Sequence, residues 1–244
     1  MSPIRTFATA GRVLRQLRHD PRTIVLILFV PSILMIILRY VFNDDTNTFS
    51  AMAPMVLGLF PFAVMFLVTS IATLRERTAG TLDRLMTMPM AKLDLLLGYA
   101  FAFSVLAVLQ GLLASAVTLG WLGVTVQGGA ARLLCVASLS GLTGMCLGLF
   151  SSAFARSEFQ AIQFLPVFVF PQLLMCGLFV PRDQMAKVLQ WFSDIMPLTY
   201  IVDAMKQVST SPGWSHALIQ DLIVVAAFTI GALILGAATL RRSR

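Results

Sequence analysis

Charge is what this sequence has least of. Asp, Glu, Lys and Arg make up 12% of its 244 residues, against 58% hydrophobic residues, whereas soluble domains usually carry about 25% charged residues. Water is therefore excluded as the solvent for most of its surface. The few acids also avoid the middle of every long apolar run, where an ion-coupled carrier holds its carboxylates. This argues against a proton- or sodium-driven carrier and against a pore ringed with charge. A G-x-x-x-x-G-K-[ST] phosphate loop is missing, and no stretch outside the apolar runs approaches domain size. Work driven by nucleotide would need a motor on another chain. Cys135, Cys146 and Cys176 are odd in number, lie in apolar runs and lack the paired spacing of a zinc or redox motif, so they read as packing residues. No nucleophile-and-base set or carboxylate pair suggests a membrane-bound enzyme.

Long apolar runs are what the sequence does have. A helix needs about 20 residues to cross a hydrocarbon core of about 30 Å, and six runs qualify, at about residues 23–41, 54–74, 95–120, 133–154, 161–180 and 222–240. Lipid offers backbone groups no partner, so each run is expected to be a helix and the fold class an all-α integral membrane protein. Trp121, Gly123, Gln127, Gly128 and Gly129 mark the loop between the third and fourth spans. The first run is too long for the core of a secretory signal and has no small-x-small cleavage site after it, so it reads as a retained span.

Alternating the spans sorts the charges. Thirteen Lys and Arg residues and five acids fall on one side, a balance of +8, and five cations with six acids fall on the other, a balance of −1. The positive-inside rule then places both termini in the cytoplasm. The net charge of +7 follows from topology and is no sign of nucleic-acid binding. His19 and His216 lie on opposite sides and cannot share a metal ion.

Between the spans lie short helical patterns. Residues 1–22 read as a basic amphipathic helix in the membrane interface, with Ile4, Phe7, Gly11, Leu14 and Leu17 on its apolar face and Arg5, Arg12, Arg15 and Arg18 on the other. Residues 75–92 read as a short cytoplasmic helix closed by Pro89, and Arg156 to Glu158 as a tight cytoplasmic turn. Residues 181–220 hold two amphipathic patterns separated by Met196 and Pro197, expected to dip into the outer leaflet or cap the bundle. Residues 241–244 form a cytoplasmic tail. Gly141, Gly144 and Gly148 are small residues suited to close helix contact.

Three strings then become specific. Leu74-Arg75-Glu76-Arg77-Thr78-Ala79-Gly80-Thr81-Leu82-Asp83-Arg84-Leu85-Met86-Thr87-Met88-Pro89 resembles the R-E-x-x-x-G-T-L-x-x-L-x-x-x-P element of type-2 ABC exporter permeases. Gly177-Leu178-Phe179-Val180-Pro181 and Met196-Pro197-Leu198-Thr199-Tyr200-Ile201-Val202-Asp203-Ala204 are similar to their external G-x-F-x-P and P-L-T-Y-x-V-D-A elements. The order and spacing of these strings extend the resemblance over nearly the whole chain, and the daunorubicin-resistance type of membrane subunit is the nearest in pattern. Members often carry a second acid where this chain has Thr78.

The resemblance implies a permease of the bacterial inner membrane that holds no cofactor and works with two separate ATP-binding-cassette subunits, which bind ATP and Mg, and with a second membrane subunit, identical or homologous. Its implied role is outward movement of hydrophobic, drug-like or lipid-linked substrates by alternating access. Coupling to the ATPase would fall to Arg75, Glu76, Arg77, Gly80, Thr81, Leu82 and Leu85, with Arg156 and Glu158 as a second contact, and an external gate to Phe179, Pro181, Pro197, Leu198 and Tyr200. Phe60, Phe62, Phe66, Gln163, Phe164, Phe168, Gln172 and Met175 on the second and fifth spans could line a substrate path or pack helix on helix. The rivals are a permease for polysaccharide or teichoic-acid chains and an ATP-independent carrier or channel.

Overall fold

Two aspartates start the first two membrane helices by the same chemistry. The Asp20 carboxylate accepts from the Thr23 amide at 3.3 Å and its hydroxyl at 2.6 Å, and Asp45 accepts from the Thr48 amide at 3.0 Å and its hydroxyl at 2.6 Å. Each cap satisfies donors that a helix start leaves without partners. The computed structural model describes residues 3–79 and 92–240. Its helices are α1 (Pro3–Arg18), α2 (Pro21–Val41), α3 (Thr46–Thr78), α4 (Lys92–Ala116), α5 (Ala130–Ser152), α6 (Glu158–Met175), α7 (Lys187–Asp194), α8 (Pro197–Thr210) and α9 (His216–Leu240). A wider π turn, Val117–Trp121, continues α4, closed by the Leu122 amide on the Val117 carbonyl at 3.0 Å. Six of the described helices are long and apolar enough to cross a membrane, and the chain is all-α with amphipathic helices outside those six.

The structure redraws the ends of three spans, among them α9, which begins at His216 within the region 181–220 expected to hold the external helices. The 33 residues of α3 reach roughly 50 Å at helical rise, well beyond the hydrocarbon core. It begins at Thr46 because Asp45 caps it, and its last turn carries Arg75, Glu76 and Arg77, so the first residues of the expected coupling segment belong to the membrane helix. The rest of that segment, including Gly80, Thr81, Leu82 and Leu85, lies outside the described residues, as does the tail. At the other end, α6 stops at Met175 because Gly177, at φ +86°, turns the chain through a conformation that side chains disfavour.

Helices α3 and α5 form the centre. Built Cβ atoms on Gly144 and Gly148 would collide with the carbonyl oxygens of Phe62 and Phe66, so these two backbones meet at a distance only glycine allows. The Ser140 hydroxyl donates across the same seam to the Gly58 carbonyl. Thr143 and Thr229 share a hydroxyl hydrogen bond at 2.8 Å that joins α5 to α9. Helix α8 packs into the bundle, burying Leu198, Ile201, Val202, Met205 and Val208, whereas Val188, Leu189, Trp191 and Phe192 of α7 remain exposed.

The apolar face of α1 is divided: Leu17 is buried with Thr9, Ala10 and Val13, and Leu14 packs beside them, while Ile4 and Phe7 are exposed. The cause is Gly98 on α4: a Cβ there would come within 2.6 Å of the Thr9 Cβ, so the small Thr9 side of α1 is what seats against α4. Phe7 then lies edge-on to Phe101, with ring centroids 5.2 Å apart.

Candidate functional site

The last turn of α3 is tied directly to three neighbours. The Arg75 guanidinium donates from Nε and Nη2 to the Glu158 carboxylate at 2.7 and 2.9 Å, a two-pronged bond to the first turn of α6. Arg77 Nη2 donates to the Ala155 carbonyl in the turn between α5 and α6. Glu76 points the other way and is buried, accepting from Arg12 Nη2 of α1 at 3.2 Å. The same Arg12 nitrogen donates to the Tyr99 hydroxyl of α4 at 2.7 Å, and the Arg12 guanidinium lies 5.8 Å from the Tyr99 ring centroid. Three successive residues, Arg75, Glu76 and Arg77, thus hold α1, α6 and the α5–α6 turn to the end of one long helix, and Arg12 carries the link on to α4.

Arg75 and Glu76 thus link the end of α3 to α6 on one side and to α1 on the other. Arg156 contributes its backbone amide, which donates to Gln160 Oε1 at 2.9 Å, while its side chain is exposed. Arg12 and Tyr99 are the residues sequence reasoning missed. Periodicity put Arg12 on the solvated face of α1; the available signal was a tyrosine at the start of an apolar span, a polar group that seeks a partner when buried.

At the opposite end, Arg182 forks between two acids. Its Nη1 donates to Asp203 of α8 at 3.1 Å and its Nη2 to Asp194 of α7. Burial pushes the Asp203 carboxyl above the usual carboxylate range, and Arg182 pulls it back toward the ionised form. The Tyr200 hydroxyl donates to the Asp194 carbonyl at 2.7 Å. Pro197 and Leu198 are buried at the start of α8, while Phe179 and Pro181 are exposed. The expected gate residues therefore divide into a seated group and a bare one.

The aromatic residues of the second and fifth spans divide too. Phe66 and Phe168 have ring centroids 6.1 Å apart, and Phe164 and Phe168 6.0 Å. Phe62 is fully buried against α5, Phe60 and Met175 are half-buried, and Gln163 is exposed. Gln172 is buried and holds two elements, with Nε2 donating to the Phe168 carbonyl at 2.7 Å and Oε1 accepting from the Leu198 amide at 3.4 Å. Among the described residues, no three His, Cys, Asp or Glu side chains are grouped to hold a metal ion.

The family model described as "ABC-2 type transporter" matches residues 5–209, which includes both ends of the bundle. The chain belongs to the ABC-2 type transporter family. This ABC-2 type protein is 25% identical over 173 residues to the probable multidrug ABC transporter permease YbhR of Escherichia coli, covering 71% of this chain and 47% of that one. It is 25% identical over 202 residues to the inner membrane transport permease YhhJ of the same species, covering 80% and 54%. It is also 26% identical over 166 residues to ABC transporter G family member 20 of Dictyostelium discoideum, covering 68% and 23%. The ABC-2 type chain spans about half the length of the bacterial relatives and less of the amoebal one. It is a multi-pass membrane protein by its family and its six long apolar helices.

Proposed function

We propose that this chain is the membrane subunit of an ATP-driven exporter of the daunorubicin-resistance type, moving hydrophobic, drug-like or lipid-linked molecules outward. Two separate ATPase subunits supply the energy from ATP and Mg, and a second membrane subunit completes the path. The arginine-rich end faces the cytoplasm of a bacterial cell, and the end carrying Arg182, Asp194 and Asp203 faces out. The observation that carries the reading is the junction at Arg75, Glu76 and Arg77, where the element resembling a coupling helix leaves a membrane helix already bonded to α1, α6 and the α5–α6 turn. In the proposed mechanism, the ATPase moves the segment containing Gly80, Thr81, Leu82 and Leu85, and the bonded residues pass that motion to α6 and α1. Alternating exposure of the path follows from the shift of α6 against the fixed α3–α5 pair, with Phe66, Phe164 and Phe168 lining the side that opens. Phe179, Pro181, Pro197, Leu198 and Tyr200 form the external gate.

The test is to co-express a Gly80→Trp variant with the ATPase and measure complex recovery, ATP turnover and export together. Insertion should be normal, while ATP turnover and export separate. Normal values for all three would remove the coupling role. Orientation is checked with single cysteines at Gln127 and Ser157 in a background lacking the three native cysteines. An impermeant reagent should label position 127 from outside intact cells, and labelling of position 157 would invert the topology.

A further inference from the structure

Ile4, Phe7, Gly11, Arg15 and Arg18 recur along α1 at intervals of three and four residues, which puts them on one side of the helix. That side points away from the bundle. Ile4, Phe7, Arg15 and Arg18 are all exposed, whereas Thr9, Ala10, Val13 and Leu17 are buried on the opposite side against the bundle. The bare side is apolar toward its start and basic toward its end.

Both ends of this side run into the bare stripes of membrane helices. At its start, Phe7 lies edge-on to Phe101, and Phe101 heads an exposed stripe of α4 that continues through Val105, Val108 and Leu112. At its end the chain turns at Asp20 into α2, where exposed Arg22 stands at the foot of a stripe formed by Leu26, Phe29 and Ile33. Apolar stripes that no helix covers are left for lipid in a spanning bundle. The bare side of α1 therefore lies at the edge of the hydrocarbon, with Arg15, Arg18 and Arg22 where headgroups begin.

These three arginines have no acid of their own. None of the four ion pairs among the described residues includes them. Arg15 Nε donates to the Gly11 carbonyl at 3.2 Å, a bond within its own helix. Asp20 is the acid nearest in sequence, but it is bonded to the Thr23 amide and hydroxyl and acts on Arg22 only through space. Arg12 is the contrast on the same helix, since it turns inward and is answered by Glu76 and Tyr99. A water-soluble acidic partner would meet the three charges and leave Ile4 and Phe7 bare. An anionic lipid meets both.

We propose that the outward side of α1 binds anionic phospholipid, with headgroup phosphates on Arg15, Arg18 and Arg22 and acyl chains beside Ile4, Phe7 and Phe101. Basic residues clustered on an amphipathic helix next to a span recognise such headgroups by charge. Lipid gathered there sits on the same helix whose Arg12 bonds Glu76 at the end of α3. The contact is independent of what the chain transports.

The reporter is Gly11→Trp, at a position where an added Cβ meets nothing within 4 Å, in a full chain whose Trp121, Trp191 and Trp214 are replaced by Phe. Its fluorescence is quenched by dibrominated phosphatidylglycerol or dibrominated phosphatidylcholine titrated into phosphatidylcholine bilayers. Phosphatidylglycerol should occupy the positions around the reporter at least about tenfold more readily, since each arginine near the surface contributes roughly fivefold. Arg15→Gln, Arg18→Gln and Arg22→Gln together should bring the two lipids within about twofold of each other. Lys187→Gln with Lys206→Gln, at the opposite end, should leave the preference unchanged. Arg15→Lys, Arg18→Lys and Arg22→Lys together keep the charge and should keep the preference within about threefold. Equal quenching by the two lipids in the reporter chain, or a preference that survives the three glutamines, would overturn the proposal. Loss of the preference with the three lysines as well would mark a change of structure rather than of charge, and would overturn it equally.

Discussion

Helices α5 (Ala130–Ser152) and α6 (Glu158–Met175) are neighbours in sequence, five residues apart, and both read as membrane spans, yet 61% of the spanning window of α5 is buried and only 17% of that of α6. Hydrophobicity does not separate them, because lipid is as apolar as either. What separates them is side-chain size. Helix α5 presents Gly141, Gly144 and Gly148 with Ser140 and Ser151, which lets the α3 backbone come to carbonyl contact. Helix α6 has no glycine and carries Phe159, Phe164, Phe168 and Phe170 with two prolines, so its approach is held off at ring distance. In a bilayer, small residues and hydrogen bonds make the core, and large apolar residues are left for lipid or a partner.

The sharpest way to break that contrast is to give α5 one of α6's side chains. Gly144→Val places a branched side chain where even a Cβ meets the Phe62 carbonyl, so α3 and α5 must separate. We expect a loss on the order of 4 kcal/mol, at the upper end for overpacking because backbone cannot yield as a rotamer can. Reversible unfolding in mixed micelles would measure it. Leu174→Ala on the exposed side of α6 should stay within about 0.5 kcal/mol, and a comparable loss at both sites would show that burial in one chain does not set the difference.

The same contrast recurs in the two short helices that follow. Leu198→Ala in α8 removes a fully buried side chain and should cost about 3 kcal/mol, whereas Leu189→Ala in α7 alters an exposed one and should cost under about 0.5 kcal/mol. Equal midpoints in the same unfolding assay would contradict the seating of α8 against Gly58.

That pair also shows what the sequence could and could not say. Six charge-free runs were legible because hydrocarbon thickness fixes helix length, and the amphipathic patterns of α7 and α8 were legible from spacing. Which of the two enters the bundle was not, because the choice depends on Ile201 and Met205 finding the gap above Gly58, a contact between residues far apart in the chain. Arg75, Glu76 and Arg77 were readable as a string resembling a known element. Their partners were not, since Glu76 and Tyr99 lie 64 and 87 residues along the chain from Arg12, and a tyrosine at the start of a span says that it needs a partner without saying which. The set proposed for a substrate path on the second and fifth spans mixes residues buried in the α3–α5 seam, such as Phe62, with residues on the bare face of α6, such as Gln163, because single-span periodicity does not say which face finds a neighbour.

The smallest stability effect is expected where the bare helix is held. Helix α6 is fastened at its start by Arg75 on Glu158 and near its end by Gln172 on the Leu198 amide, with Phe66 against Phe168 between them. Both Arg75 and Glu158 are largely exposed, so screening by solvent limits their bond to about 1 kcal/mol or less. Arg75→Ala and Glu158→Ala should each leave the unfolding midpoint almost unchanged, and the double variant should equal either single one. Motion is where the loss should appear. With the start of α6 released from α3, a single cysteine at Val167 should react faster with a maleimide in the membrane-embedded protein, and the exchange variant Arg75→Glu with Glu158→Arg should return the rate toward that of the wild type. Unchanged reactivity in both single variants would mean that α6 is positioned by its apolar contacts alone and that the Arg75–Glu158 bond transmits nothing.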